Sequence, residues 1–404
     1  MRFVQLQTYT IEKAESIDLS RVEFINSESS KKVPLVLIGK SVNPPPSVLG
    51  EKSEKESLSA RLKKWSRHAA YREIINSKAA NFCHRGVIPG RENVDILQTP
   101  AGRFGYGGLF SCGSVWLCPV CASKISEKRR IELGQALKVA EAKGLHPLHL
   151  TLTAPHHLGE KLDDLLEKMT HARKLMLNRK PWKRLAASLG LKGSIRALEV
   201  THGDSNGWHV HFHVILIISE KLTEDQIQET KNLIYDQWLS ASLTVGLQPP
   251  SLDHGVNLAD GRAAGDYVSK WGLEHEMTKA HIKKGREGGL SPFEFLDKYI
   301  EGDARYKGLF LEYAKAFKGR RQLVWSEGLR ELLKMGPEQT DEEIADQEDL
   351  DSLIFAKLPL DVWRVILKQE KRAEVLEVCR YGHTSLTEYL RALIENFKRK
   401  ECYA

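Results

Sequence analysis

Three histidines, His209, His211 and His213, stand at every second position of "GWHVHFHVILII" (207–218). On a β-strand, alternate side chains share a face, so all three imidazoles project from one side. Ligands at i and i+2 lie roughly 6.5–7 Å apart at the backbone and can chelate one divalent cation. Imidazole suits Zn, Mn, Co or Ni and takes Mg less readily. A carboxylate from a partner strand would complete such a site. Glu199 is the only carboxylate in "SIRALEVT" (194–201), and a hairpin would set it beside the histidines. A lone strand histidine is more often an ordinary core or surface residue, but three alternating ones facing a glutamate outweigh that reading. His211 and His213 are therefore the expected ligands, with Glu199. His209 is open between replacing Glu199 as third ligand and supporting the site.

A second cluster is "CGSVWLCPVC", with Cys112, Cys118 and Cys121. A C-x-x-C knuckle with more cysteines nearby is a structural-zinc pattern. Cys83 is the expected fourth ligand, with His84 as competitor. Residues 80–125 show little periodicity, and zinc would stabilise a segment too poor in core to fold alone. A redox C-x-x-C is the rival, but no thioredoxin-like βαβ pattern surrounds it. Cys379 and Cys402 are isolated and receive no role.

The elements that must position these groups follow from pattern. "PLHLTLT" (147–153), "SIRALEVT" and "WHVHFHVILII" (208–218) read as strands. The turn residues "HGDSNG" make the last two an antiparallel hairpin. Residues 161–179 place Leu162, Leu165, Leu166, Met169 and Met176 at helical spacing. Residues 223–243 form a helix opened by Thr223. "KISEKRRIELGQALKVAEAKG" reads as a helix ending at Gly144. This order predicts an α+β fold, an antiparallel sheet with helices on one face.

Composition narrows the class. The 404 residues allow two or three domains, and 41% hydrophobic residues exclude general disorder. No apolar run reaches membrane-spanning length, and the first residues lack the apolar stretch of a secretory signal. A cytoplasmic protein without membrane association is the expectation. The net charge is +7, yet residues 337–351 carry eight acids and no base. The rest holds 60 bases against 45 acids, which suits a polyanion such as nucleic acid. Basic and aromatic residues interleave in 61–72 and 179–185. Arg61, Lys63 and Lys64 would hold phosphates, and Trp182 or Trp208 would stack on unpaired bases. The expected division is an N-terminal segment and linker (1–57), a helical and Cys-rich zinc module (58–145), a catalytic domain (146–336), an acidic linker (337–351) and a helical tail (352–404).

The "HFH" pair on a strand resembles the signature of the HUH endonucleases. "HLTLT" (149–153), "GWHVHFHVIL" and "GDYVSKW" (265–271) follow one another as the three motifs of rolling-circle plasmid replication initiators with one active-site tyrosine. "AFKGRRQLVWSEGL" (316–329) is also similar to that group, and the resemblance covers roughly residues 80–330. It implies a ferredoxin-like HUH fold and a nuclease that uses Mn or Mg. Tyr267 would nick one strand of the plasmid origin and keep the 5′-phosphate as phosphotyrosine, leaving a 3′-hydroxyl to prime synthesis. Lys270, one helical turn on, would stabilise charge beside it. One position departs from the pattern: Ala263 stands where some members carry a glutamate that activates water for termination. Asp266, Glu274, Glu276 or a second tyrosine, Tyr299, are the candidates for that step. Expected partners are origin DNA, single-stranded or hairpin, and possible further ones are a host helicase and a second copy of the chain. A relaxase, an HUH transposase or a non-catalytic zinc-containing DNA-binding regulator are the alternatives. A relaxase has its tyrosine ahead of the histidines, and "DYVSKW" lacks the second tyrosine of two-tyrosine transposases.

Overall fold

The computed structural model describes residues 17–25, 51–261, 289–347 and 352–402, the side chains of 51–57 and 401–402 excepted. Tyr267, Lys270, Ala263, Asp266, Glu274 and Glu276 lie outside the described residues. The described strands are β1 (Glu23–Phe24), β2 (Asn93–Gln98), β3 (Phe104–Gly107), β4 (His146–Thr153), β5 (Gly193–Gly203), β6 (Gly207–Ile218), β7 (Val256–Asp260), β8 (Leu323–Trp325) and β9 (Leu353–Pro359). They form two antiparallel sheets, and the chain divides into two compact units, 114–344 and 1–113 with 345–404.

In unit 114–344 the sheet order is β7-β4-β6-β5-β8. The expected hairpin is present, with β5 and β6 paired from Gly193↔Ile217 to Gly203↔Gly207. Gly207 closes its three-residue turn at φ +75°, and a Cβ there would meet the His157 carbonyl oxygen at 2.8 Å. Both demands exclude a side chain. The helix Leu162–Asn178 buries Leu162, Leu165, Leu166, Met169 and Met176. The helix Glu224–Thr244 opens on a capping box in which Thr223 and Gln226 satisfy each other's backbone N–H. Its Trp238 indole N–H donates to the Thr153 carbonyl at 2.7 Å, tying the helix to the end of β4.

Helices cover both faces of this sheet, not one. Arg173, on the helix Leu162–Asn178, lies over the Phe212 ring at 5.9 Å. Ile215 and Ile217 point the other way and share a core with Leu133, Ala136 and Ala140 of the helix Pro119–Ala142. The aliphatic run 214–218 is the reason: a strand buried on both faces has no polar alternation left. The helix Pro119–Ala142 also starts before the "KISEKRR" stretch. Cys118 is its N-cap and Pro119 occupies the first helical position, where the missing N–H costs nothing.

In the other unit the order is β1-β9-β2-β3. Val94 and Ile96 of β2 pack with Leu358, Trp363, Ile366, Leu386 and Leu390. The region 352–404 is thus not purely helical, because Leu353–Pro359 enters the sheet between β1 and β2. The seven residues "LIFAKLP" are too short to show a period, and only their partner strands make them extended. The acidic stretch 337–351 likewise contains a helix, Asp341–Asp346. Thr340 and Glu343 cap it reciprocally, at 2.8 Å and 3.1 Å. No described helix is long and apolar enough to cross a membrane.

Candidate functional site

The β6 histidines project from one face because the strand has period two. Glu199 sits directly across from His211, and His213 lies between Thr151 of β4 and Ala197 of β5. Among the described residues, Glu199, His211 and His213 offer one donor atom each, all within 4.8 Å of one another. His213 Nε2 is 2.8 Å from Glu199 Oε2. His213 is buried, and Glu199 and His211 are half-buried. Two imidazoles and a carboxylate, spaced for one ion and on a rigid sheet, fit a divalent cation.

The surrounding groups orient these three. The far nitrogen of His213, Nδ1, lies 3.4 Å from Thr151 Oγ1 and 3.3 Å from His149 Nε2. The His149 and His213 rings stack 5.4 Å apart. An outer partner on the second ring nitrogen is how a ligating histidine is commonly held to one tautomer. His149 received no role from the sequence, although it alternates with Thr151 and Thr153 on β4 and shares the histidine face.

His209 stands outside the group of three, yet its Nε2 lies 2.7 Å from His211 Nε2. Its ring stacks on His156 at 4.4 Å. Burial, with the neighbouring His156, pulls the His209 imidazole down to about 4, so it is a neutral ring near pH 7.

Of the expected zinc group, Cys83 and Cys112 lie in the unit 1–113 with 345–404, and Cys118 and Cys121 in the unit 114–344. Four thiols are the donor set of a tetrahedral soft-metal site. Cys112 N–H donates to Cys83 Sγ at 3.3 Å, and Cys121 N–H to Cys118 Sγ at 3.5 Å. His84 is outside the group; its backbone N–H donates to the Phe110 carbonyl. Cys379 is buried and its thiol donates to the Val375 carbonyl, while the Cys402 side chain is outside the described residues.

The expected stacking surfaces do not hold. Trp208 is 2% exposed and Trp182 7%. Trp208 sits edge-on to His202 and Phe295, and Trp182 shares the buried face of its helix with Leu185. An indole this apolar enters a core whenever its helix or strand presents it inward. Arg61 forms an ion pair with Glu377 at 2.7 Å, Lys63 is exposed and Lys64 half-buried. Tyr299 is half-buried on the helix Pro292–Ile300. A cleft of about 810 Å³ opens at the turn end of the β5–β6 hairpin, lined in part by His202, Lys161, Arg305, Tyr306 and Lys315.

Residues 111–241 match the family model described as replication protein. The chain is 28% identical over 329 residues to a protein rep of Streptomyces lividans, covering 65% of this chain and 71% of the relative. It is 27% identical over 259 residues to a protein rep of Lentilactobacillus hilgardii, covering 61% of this chain and 78% of that one. These likenesses support a replication protein. The replication-protein match takes in β4, β5 and β6 with the Glu199, His211 and His213 group, together with Cys112, Cys118 and Cys121. A neomycin resistance protein of Streptomyces cyanogenus is 30% identical over 157 residues, covering 33% of this chain and 36% of that relative. No solved structure matches significantly.

Proposed function

We propose that the chain is a plasmid rolling-circle replication initiator of the HUH kind. It would nick and rejoin one strand of the origin through a tyrosine, in the cytoplasm. The observation that carries this reading is the convergence of His211, His213 and Glu199 within 4.8 Å on one sheet face. The strand order β7-β4-β6-β5 supports it, since the chain runs β-α-β-β-α-β through those strands, as a ferredoxin-like fold does.

In this reading His211, His213 and Glu199 would hold a Mn or Mg ion, and the bound ion would supply Lewis-acid polarisation of the scissile phosphate. His149 and Thr151 keep His213 in one orientation. The Tyr267 hydroxyl attacks phosphorus in line and gives its proton to solvent, and the departing 3′-oxygen takes one up as the P–O3′ bond breaks. The 5′-phosphate stays on the tyrosine. Lys270 offsets the charge that develops. Termination reverses these roles through Tyr299 or one of Asp266, Glu274 and Glu276, since Ala263 supplies no carboxylate. The cleft beside the hairpin, with Lys161, Arg305 and Lys315 on its wall, is the proposed path for the single strand. The Cys group would hold structural zinc, and contact with a host helicase and self-association belong to the same proposal.

The test is incubation with a single-stranded origin oligonucleotide and Mn or Mg. A covalent protein–DNA adduct is expected, absent in Tyr267→Phe and in His211→Ala. Binding without cleavage in every metal would leave a DNA-binding regulator. An adduct that persists in Tyr267→Phe would point to a relaxase-like or transposase-like use of another residue.

A further inference from the structure

In the unit that holds β2 and β9, three arginines converge on one carboxylate. Arg72 and Arg85 donate to Glu370 Oε1 at 3.0 Å and 2.9 Å, and Arg372 donates to Oε2. One negative charge faces three guanidiniums. The partly exposed cluster therefore retains a positive excess. Burial, with Arg85 beside it, pulls Arg72 down to about 10. The Nε atoms of Arg72 and Arg372 are buried without a hydrogen-bond partner.

The three arginines differ in access. Arg372 is fully buried, lies over the Trp65 ring at 4.3 Å and donates to the His84 carbonyl. It belongs to the scaffold. Arg72 and Arg85 keep 16% and 25% of their side chains exposed, and Glu370 keeps 44%. Glu370 sits in the turn between the helices Leu360–Lys368 and Arg372–Val378 at φ +53°, a conformation costly for a residue with a Cβ. The two carboxylate oxygens, one accepting from Arg72 and Arg85 and the other from Arg372, occupy positions that two non-bridging oxygens of a phosphate would take.

We propose that Arg72 and Arg85, braced by Arg372, form a phosphate-binding site that takes a backbone phosphate of DNA, with Glu370 holding the place in its absence. The choice of DNA over other phosphates rests on the replication reading above and on the basic excess of the chain outside its acidic stretch. The site lies in a different unit from the histidine group, so it would anchor DNA rather than act on it.

The test measures binding of a labelled single strand and its duplex to the full chain across a salt series. Arg85→Gln should weaken binding about tenfold, the scale of one lost charge-assisted hydrogen bond. It should also flatten the salt dependence by about one phosphate's worth. Glu370→Gln should tighten binding, because the competing carboxylate loses its charge; a merely structural cluster would weaken on that change. If Glu370→Gln does not fold, the salt slope of Arg85→Gln decides alone. DNA binding that ignores both substitutions would overturn the site and leave the replication reading standing. A wild type that binds neither DNA, yet is stabilised by inorganic phosphate in an Arg85-dependent way, would overturn that reading and keep the phosphate site. No response to DNA or phosphate overturns both.

Discussion

The two candidate metal groups are built in opposite ways. Glu199, His211 and His213 stand on adjacent strands of a sheet whose core is complete without them, as Ile195, Ile215 and Ile217 show. Cys83, Cys112 and Cys118 stand in the connections beside regular elements, Cys83 after the helix Lys78–Phe82, Cys112 after β3 and Cys118 as the cap of Pro119–Ala142, and Cys121 is in the first turn of that helix. In the first case the fold holds the ligands; in the second the ligands would hold the fold. Loss of a ligand should therefore cost chemistry at one group and structure at the other.

The largest effect is expected from Cys118→Ser, or from a strong chelator. Structural zinc contributes on the order of 10 kcal/mol in small metal-stapled domains, so the segment 80–125 should lose its structure. Metal content with a circular-dichroism melt reads this, and an unchanged melt would erase the contrast. Next comes His213→Ala. Nicking should fall on the order of a thousandfold if several kcal/mol of transition-state stabilisation pass through the bound ion. Its folding stability should fall only as far as for an ordinary core truncation, about 1–3 kcal/mol. Global unfolding of that variant would break the comparison from the other side.

His149→Ala should be milder, with Mn affinity roughly tenfold weaker and the fold intact, as for loss of an outer partner to a ligating histidine. Titration calorimetry measures it, and full affinity would remove His149 from the site. The smallest effect concerns pH. The native His209 imidazole is held down to about 4 against an ordinary 6.5, so the unfolded chain takes up its proton first. The metal-free protein should therefore lose stability as pH falls from about 6.5 towards 4. His209→Gln should flatten that slope in a melt series, and an unchanged slope would assign the acid sensitivity elsewhere.

The elements that carry the histidine group were legible because their patterns are local. Strict alternation in 209–213 and the turn residues before Gly207 specify a hairpin, and the hairpin places Glu199. The Leu and Met spacing of 162–178 specifies a helix in the same way. Other features had no local signature. The strand 353–359 is extended because β2 and β1 lie beside it, more than 250 residues earlier in the chain for β2. The second helical layer left its mark only in the aliphatic run 214–218, which signals burial on both faces without saying what covers the second one.

The sequence alone determined that His209, His211 and His213 share one face of β6, because side-chain alternation follows from backbone geometry. It also singled out Cys112, Cys118 and Cys121 by their knuckle spacing, while leaving Glu199 against His209 and Cys83 against His84 open. Only the tertiary structure decided that Trp182 and Trp208 are core and that His149 backs His213. It alone drew Arg72, Arg85 and Arg372 around Glu370, from helices and turns some 300 residues apart. Spacing governs neighbours along one strand; burial and charge balance between distant segments depend on how the whole chain packs.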